Sequence, residues 1–455
     1  MKILITGATG FIGRELGKEL VRRGHQIVAL SRNAEKAKLK LPFPCQVIEG
    51  DLTEKAIDSS QFSQVEAVIH LAGENVGDGR WSEERKKEIL DSRVKFTENL
   101  LLSLPSSLQI FLGASATGFY GSRGEEQLSE SSSAGQGFLA DVCIKWEAAT
   151  LKCGEKFPNA RLAILRTGVV LGPFGGALMK MLAPFQMGVG GVLGSGKQWM
   201  SWIHLQDLVS LYVFALENKQ VSGIFNATAP EPVQNKQFTK ILADNLEQSP
   251  GPQVPAFAVQ LLFGEMGSVV LNSQRVLAKK IENLGFRFQF AGIESAVQNC
   301  AQYYKGGNSV FHVDQFLPQP KSQVFPFFAA AENLEAITPP TMTFKISQMS
   351  TPKIEKGTLI DYKLKVHGVP LHWRTLIENW TPEEKFVDTQ LKGPYKLWHH
   401  THQFEEMAGG TLMTDTVRYK LPVGKLGALF GGGFVKGDVE KIFAYRRKRV
   451  PELLK

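Results

Sequence analysis

The chain has 455 residues, of which 43% are hydrophobic and 21% are charged, and its formal net charge is +8. This composition is typical of folded globular domains and excludes a disordered or collagen-like chain, and the length predicts two or three domains. The sequence has neither a charged-then-apolar leader nor an unbroken apolar stretch that could span a bilayer, so we expect a cytoplasmic protein without a transmembrane segment.

The positive charge and the four cysteines give little sign of a nucleic-acid or metal partner. The only dense basic run covers residues 446–449, and we interpret it as the solvated face of a terminal helix. The cysteines are widely spaced and form no pairs typical of metal sites, which favours reduced thiols. We therefore expect no nucleic-acid partner.

Residues 1–170 alternate short β-branched runs with helical stretches. Strands are predicted at 2–5, 26–30, 46–48, 67–71, 109–113 and 161–166. This alternation predicts a doubly wound parallel sheet with helices on both faces. Ligands of such sheets bind at the carboxyl ends of the strands, near the point where the strand order reverses.

The first strand leads directly into a glycine-rich turn, and a helical stretch follows at 11–23. Gly7 and Gly10 leave room for a pyrophosphate, while Gly13 lets the helix pack against the strand. The N–H groups of the first helical turn then face the phosphates. The sequence therefore predicts a dinucleotide site whose phosphate-binding residues are Gly7, Thr9, Gly10, Phe11, Ile12 and Gly13.

The end of the second strand indicates which dinucleotide is bound. An acidic residue at this place is typical of NAD enzymes, whereas a 2′-phosphate needs a cation and a donor. Here the strand ends in Ser31 and Arg32 with no carboxylate beside them, which predicts NADP(H). The alternative is that Arg32 is an ordinary exposed arginine.

Further candidates for cofactor binding follow the third and fourth strands. A pair of residues after the third strand is placed to frame the adenine, and a run of small residues after the fourth lets the backbone approach the ribose and phosphates. Two charged residues on a helix predicted at 82–101 face the open edge of the sheet; solvated helix positions are the alternative. These residues are Asp51, Leu52, Leu71, Ala72, Gly73, Glu88 and Arg93.

The sequence changes character twice beyond residue 170. Residues 171–300 are glycine-rich with short elements, and we interpret them as a small substrate lobe on the sheet. A linker is predicted at 306–308. Strands predicted at 359–367, 372–378 and 411–419 and a helix from about residue 437 to the end then indicate a separate α+β domain.

Residues 1–302 resemble the extended short-chain dehydrogenases of the sugar-epimerase type, and more closely a subgroup of NADP-dependent oxidoreductases labelled epimerase-family proteins. The resemblance implies a Rossmann-type sheet, NADP(H) and a substrate lobe over the nicotinamide. It rests on residues 6–13, 70–75, 80–81, 92–94, 115–121, 165–172, 194–204, 226–232 and 273–290.

One departure from that family concerns its acid–base pair. Its members carry Tyr-x-x-x-Lys after the fifth strand, and these two positions fall on Leu139 and Cys143 here. Hydride transfer to a carbonyl needs an acid or base near the operating pH. Lys145 is kept as a candidate for the nicotinamide ribose, because the close subgroup has a lysine there.

Three hydroxyl residues near the fifth strand are the candidate catalytic groups. Ser115 stands where the superfamily has its substrate-positioning serine, and Tyr120 and Thr117 lie beside it. A packed aromatic is the alternative for Tyr120. His204 is a candidate for the substrate end, with a hydrogen-bonded core histidine as the alternative.

The stretches 324–328, 333–334, 338–340, 393–395, 398–402, 404, 414–415 and 419 and the terminal helix at 438–449 make residues 308–455 similar to the START-like (SRPBCC) helix-grip family. In that family a curved antiparallel sheet holds a long C-terminal helix around an apolar cavity. The resemblance implies a lipophilic ligand. In a strand, His400 and His402 point to one face and His399 to the other. No carboxylate or cysteine stands close to them in sequence, so we expect no metal site.

These observations predict an NADP(H)-dependent oxidoreductase or epimerase-like enzyme for a small, lipophilic carbonyl or hydroxyl substrate. The missing Tyr-x-x-x-Lys leaves an alternative open: a catalytically degenerate NADP(H)-binding sensor or a lipid-handling protein. The sequence assigns neither the substrate nor the oligomeric state.

Overall fold

The computed structural model describes residues 1–422 and 424–454, with side chains from residue 433 onward in the second range. The chain forms two compact units, one of Met1–Lys38 and Cys45–Gln302, the other of Leu39–Pro44 and Tyr303–Lys455.

The first unit contains thirteen strands within the described residues. They are β1 (Lys2–Thr6), β2 (Gln26–Ser31), β3 (Gln46–Glu49), β4 (Ala67–His70), β5 (Ile110–Ala116), β6 (Gln127–Leu128), β7 (Arg161–Thr167), β8 (Val169–Gly172), β9 (Trp199–Met200), β10 (Trp202–His204), β11 (Gly223–Ala227), β12 (Val233–Gln234) and β13 (Arg275–Val276).

The α-helices up to residue 301 connect these strands. They are α1 (Phe11–Arg22), α2 (Ala34–Lys40), α3 (Glu83–Asp91), α4 (Val94–Ser103), α5 (Phe138–Lys156), α6 (Gly176–Gln186), α7 (Leu205–Glu217), α8 (Asn235–Asn245), α9 (Ala256–Phe263), α10 (Ser268–Leu271), α11 (Lys279–Asn283) and α12 (Ile293–Ala301).

Seven of the strands form one parallel sheet in the order β3-β2-β1-β4-β5-β7-β11. The six strands predicted from the sequence are all present, so the Rossmann-type parallel sheet is confirmed. Its central strands are almost continuously buried, as expected when helices cover both faces. The strand order reverses between β1 and β4, which places a ligand crevice at their carboxyl ends.

The prediction of one continuous helix at 82–101 is wrong, because the structure has two helices there, α3 and α4. Ser92 caps the first segment and accepts a hydrogen bond from the backbone N–H of Glu74. Arg93 donates to the carbonyls of Ile89 and Glu74, both at 3.0 Å. These long-range contacts to the loop after β4 turn the chain at this point.

The second unit is built on an antiparallel sheet of seven strands in the order β14-β20-β19-β18-β17-β16-β15. Its elements are β14 (Ser309–Leu317), α13 (Lys321–Ala329), α14 (Ala331–Ala336), β15 (Thr343–Met349), β16 (Leu359–Val366), β17 (Val369–Thr381), β18 (Lys385–Lys392), β19 (Leu397–Met407), β20 (Gly410–Lys420) and α15 (Gly424–Leu453). The three predicted strands are confirmed, while α15 begins earlier than predicted.

Candidate active site and ligand cavity

The turn after β1 can be formed only by glycine at two places. Gly7 has φ +72°, and a Cβ there would lie 3.0 Å from the backbone nitrogen of Ala72. A Cβ on Gly13 would lie 2.3 Å from the carbonyl oxygen of Gly7. The sequence therefore brings β1, the loop after β4 and the start of α1 into direct backbone contact.

Helix α1 begins at this turn with its first N–H groups available. Gly10 precedes the helix and is exposed, and the first turn carries no acidic side chain. The N–H groups of a first helical turn have no acceptor within the helix, and the helix dipole favours an anion there. The partly exposed Thr9, Phe11 and Ile12 lie at the same turn. These residues fit a dinucleotide pyrophosphate.

Arg32 stands at the end of β2 with 70% of its side chain exposed. Its Nη2 lies 3.5 Å from Oε1 of Glu74, whose carboxylate is also 3.4 Å from Arg85. The expectation that no carboxylate stands beside Arg32 is therefore wrong, because the loop after β4 brings one. Arg85 compensates part of that charge, so the exposed guanidinium fork remains suited to a phosphate.

Three other cofactor candidates are engaged in local contacts. Ser31 exchanges hydrogen bonds with the backbone of Asn33. Asp51 accepts from the N–H and the hydroxyl of Thr53, at 2.9 and 2.6 Å. Leu52 is fully buried in the core, so only its backbone can approach a nucleotide.

The small loop Leu71, Ala72 and Gly73 is partly exposed beside the turn. A Cβ on Gly73 would lie 3.0 Å from the guanidinium carbon of Arg93. Because this guanidinium donates to the backbone of the same loop, the structure places Arg93 as a support of the loop. Glu88 and Lys145 are exposed on α3 and α5.

A buried histidine beneath this crevice was not identified from the sequence as a structural group. His70 Nδ1 lies 2.7 Å from Thr6 Oγ1, and its Nε2 lies 2.8 Å from Thr97 Oγ1. Burial, with a smaller effect of Arg93, lowers the pKa of His70 to about 3. The neutral ring therefore ties β1, β4 and α4 together.

The three candidate catalytic hydroxyls belong to buried hydrogen-bond networks. Ser115 donates to Oε1 of Glu147 at 2.6 Å, and Arg166 binds both carboxylate oxygens of Glu147 at 2.8 Å. Arg166 also donates to the hydroxyl of Tyr120 at 3.0 Å. Because Glu147 and Arg166 are 19 residues apart on α5 and β7, no local sequence pattern marks this pair.

Tyr120 is fully buried, and its hydroxyl donates to Oδ1 of Asn226 at 2.7 Å. Burial raises its pKa, which makes it a weaker acid than an ordinary tyrosine. Thr117 donates to Oε1 of Gln274 at 2.9 Å. Both hydroxyl protons are thus used within the protein.

The positions of the missing acid–base pair are apolar. Leu139 lies near Gly118, and Cys143 is buried beside Ser115. Burial raises the pKa of the Cys143 thiol to about 11, so it is neutral at physiological pH. His204 caps α7, and its pKa is lowered by burial to about 4, as expected for the core alternative.

The second unit encloses a cavity of about 340 Å³. Aromatic and aliphatic side chains form most of its wall, and five acidic, basic or histidine side chains line it as well. The apolar wall includes Phe328, Leu334, Ile360, Trp373, Phe386 and Ile442, and the polar group comprises Asp388, His400, His402, Asp438 and Arg446.

Two imidazoles and two carboxylates are packed together at this wall. His400 Nε2 donates to Oδ1 of Asp415 at 2.9 Å, and His402 Nε2 lies 3.2 Å from Oδ2 of Asp388. Burial by itself would lower the pKa of His400, but the two carboxylates raise it to about 9. His399 lies on the other face, 4.0 Å from Glu378.

The interpretation of residues 446–449 as a solvated face is wrong for two of the four. Arg446 lines the cavity, and its buried Nε has no hydrogen-bond partner among the described residues. Arg447 donates to the backbone carbonyl of Asp314 at 3.0 Å. The packing of α15 therefore engages two of these charges.

None of the described helices is long and apolar enough to cross a bilayer. The four cysteines are all free thiols, and three of them are buried.

Comparison with known proteins matches residues 3–228 to the NAD dependent epimerase/dehydratase family and residues 254–300 to a domain of unknown function, DUF1731. The "Epimerase family protein SDR39U1 homolog, chloroplastic" of Arabidopsis thaliana is 39% identical over 311 residues, which cover 66% of this chain and 87% of that protein.

Two solved structures are similar over the same part of the chain. The human epimerase family protein SDR39U1, solved with NADPH, is 30% identical with a TM-score of 0.57, covering 66% of this chain and 99% of that one. The nucleoside-diphosphate sugar epimerase of Corynebacterium glutamicum is 33% identical with a TM-score of 0.54, covering 67% of this chain and 58% of that one.

Proposed function

The chain belongs to the NAD-dependent epimerase/dehydratase family, and on that basis we propose that it is an NADP(H)-dependent oxidoreductase or epimerase-like enzyme. Its substrate is a small carbonyl or hydroxyl compound of lipophilic character. The observation that carries this proposal is the combination of the turn at Gly7 and Gly13 with the exposed Arg32. The NADPH-bound human relative supports the same cofactor.

The residues of the crevice divide the binding of NADP(H) between them. The first N–H groups of α1 bind the pyrophosphate, and Arg32 pairs with the 2′-phosphate. When bound, the cofactor supplies or accepts a hydride at its nicotinamide. The loop 71–73, supported by Arg93, holds the backbone close to the ribose.

Ser115 is the residue proposed to contact the substrate. Its proton is donated to Glu147, so its remaining capacity is that of an acceptor. It therefore accepts a hydrogen bond from a substrate hydroxyl and orients that oxygen. Glu147 and Arg166 are positioning residues for Ser115, and Tyr120 and Thr117 stabilise the surrounding wall through Asn226 and Gln274.

Three screens test this proposal: carbonyl compounds with NADPH and alcohols with NADP⁺, both followed by NADPH absorbance, and nucleotide sugars followed by chromatographic separation of the epimers, because epimerisation leaves the cofactor's redox state unchanged. We expect turnover with at least one substrate and a loss of kcat in Ser115→Ala. Ser222→Ala is the matched control, because Ser222 is exposed and its hydroxyl donates to the backbone carbonyl of Leu162, at the amino end of β7. NADPH binding without turnover on any substrate would contradict the enzyme and favour the sensor.

We further propose that the second unit is a START-like helix-grip domain that holds a lipophilic molecule. The supporting observation is the cavity of about 340 Å³ with its aromatic wall, which is the size and character of small-molecule pockets. Leu371→Trp places a bulky side chain at the cavity wall, whereas Val369→Trp substitutes an exposed residue on the same strand. Binding of an apolar fluorescent probe should be lost in the first variant and kept in the second. Equal binding in both would contradict the cavity as the binding site.

We place the protein in the cytoplasm, a compartment that keeps its four free thiols reduced.

A further inference from the structure

We propose that Asp388, His400 and His402 bind a divalent transition-metal cation at the wall of the cavity in the second unit. Strand register brings these residues together: Asp388 on β18 pairs with His400 on β19, and His402 lies two residues further on the same face. The neighbouring strand β20 adds Asp415, which pairs with His402. Carboxylates absent from the local sequence thus arrive from both adjacent strands.

The three side chains converge on one point. His400 Nδ1 and His402 Nε2 lie 3.3 and 3.2 Å from the same oxygen, Oδ2 of Asp388. One ligand atom from each residue lies within 4.8 Å of the other two. Ligands held about 2.1 Å from a zinc ion are roughly 3.0 to 3.5 Å apart. The two separations from Asp388 Oδ2 already match this spacing. The imidazole nitrogens lie within 4.8 Å of each other and need to approach by at most about 1.5 Å to complete the site.

Asp415 lies where a carboxylate can bind the ring nitrogens that do not face the ion. Its Oδ1 lies 2.9 Å from His400 Nε2 and 2.8 Å from His402 Nδ1, the second contact at an angle outside that of a hydrogen bond. Metal-ligating histidines commonly donate their second N–H to a carboxylate, which fixes the tautomer. His400 makes such a hydrogen bond to Asp415. His400 Nδ1 and His402 Nε2 are the two nitrogens that face Asp388, where the ion binds.

The donor set defines the class of ion. Two imidazole nitrogens and one carboxylate oxygen suit Zn²⁺ or Fe²⁺ and do not suit Ca²⁺ or Mg²⁺, which prefer oxygen ligands. The carboxylates of Asp388 and Asp415 face a divalent cation bound to neutral imidazoles and also the buried guanidinium of Arg446, so they offset most of the positive charge at this wall. Three protein ligands leave at least one coordination position open. Because all three residues line the cavity, a polar group of the cavity's ligand can occupy that position.

The test is direct binding of zinc to the purified full chain. We expect calorimetry with ZnCl2 alone, after chelator treatment and removal of any affinity tag, to give one ion per chain. His400→Ala and His402→Gln should abolish this binding, and Asp415→Asn should weaken it roughly 10- to 100-fold. His399→Ala is the matched control, because His399 lies on the opposite face and should keep full binding.

Cobalt substitution separates loss of the site from loss of the fold. Wild-type protein loaded with Co²⁺ should show visible d–d absorption that is absent in His402→Gln, while the circular dichroism of the two proteins stays the same. The proposal is overturned if wild type binds no zinc. It is equally overturned if the folded His400→Ala and His402→Gln proteins bind it as wild type does, since Cys45 or another group would then hold the ion.

Discussion

Ser115 donates its hydroxyl proton to Glu147 across 2.6 Å, and both side chains are buried. Arg166 holds the same carboxylate with two hydrogen bonds, so the hydroxyl has one fixed orientation. The family resemblance predicts an acid–base pair at the positions where this chain has Leu139 and Cys143. Under the proposed function, the fixed orientation of Ser115 therefore determines which hydrogen bond it can make to a substrate. Because its proton is donated to Glu147, the hydroxyl oxygen of Ser115 can still accept a hydrogen bond but cannot donate one.

We predict that Glu147→Gln strongly destabilises the first unit. Removing one charge leaves Arg166 buried without its partner, which costs roughly 3 to 5 kcal/mol. The thermal transition that NADPH raises should therefore move to a clearly lower temperature. Glu35→Gln is the control, because Glu35 forms an exposed pair with Lys38 whose loss should leave the transition temperature nearly unchanged. Equal small shifts in the two variants would contradict this role of Glu147.

Two helical glycines should respond in opposite ways to alanine. In Gly13→Ala the new Cβ meets the backbone of Gly7 and Ala8 at 2.3 and 2.7 Å, so the turn must move. We expect the affinity for NADPH to fall at least about tenfold, or 1.4 kcal/mol. In Gly154→Ala the Cβ meets nothing within 4 Å, and the helix gains about 0.5 to 1 kcal/mol. Fluorescence titration measures the NADPH affinity and thermal unfolding measures the stability of each variant. Unchanged NADPH binding in Gly13→Ala would refute the close backbone contact between Gly13 and Gly7.

Acid should destabilise the first unit through two buried histidines. The pKa of His70 is lowered to about 3 and that of His204 to about 4, from 6.5 in the unfolded chain. Between pH 6.5 and 4 the unfolded state therefore binds protons that the folded state does not. Stability falls with falling pH by about 1.4 kcal/mol per pH unit for each histidine.

His204→Asn isolates one of these contributions, because asparagine can still cap α7. The transition temperature of the variant should fall less steeply than that of wild type between pH 6.5 and 4.5. Parallel curves for the two proteins would show that His204 is not neutral in the folded state.

Local patterns were enough to predict the parallel sheet. The six strands carry apolar runs, and the glycines at 7, 10 and 13 mark the first turn without any knowledge of distant residues. Local patterns also explain why the start of α15 was placed too late: the first residues of this helix are rich in glycine, which has low helix propensity.

The long-range contacts could not be read from the sequence. Glu74 reaches Arg32 from a loop more than 40 residues away, and Ser92 ends α3 by contacting that same loop. In the second unit the carboxylates beside His400 and His402 come from neighbouring strands, 14 and 15 residues distant. The register between paired strands decides which residues become neighbours, and the alternation pattern within one strand does not determine that register.

The central claim is that the turn after β1 binds a dinucleotide and that Arg32 selects its 2′-phosphate. Equilibrium titration of wild type, Arg32→Ala and the control Lys38→Ala with NADPH and with NADH tests it most directly. We predict that wild type and Lys38→Ala prefer NADPH, and that Arg32→Ala loses roughly 10- to 100-fold in NADPH affinity, the worth of one charged hydrogen-bonded pair, with NADH binding unchanged. Equal affinity of wild type for the two dinucleotides, or an unaltered preference in Arg32→Ala, would contradict the account.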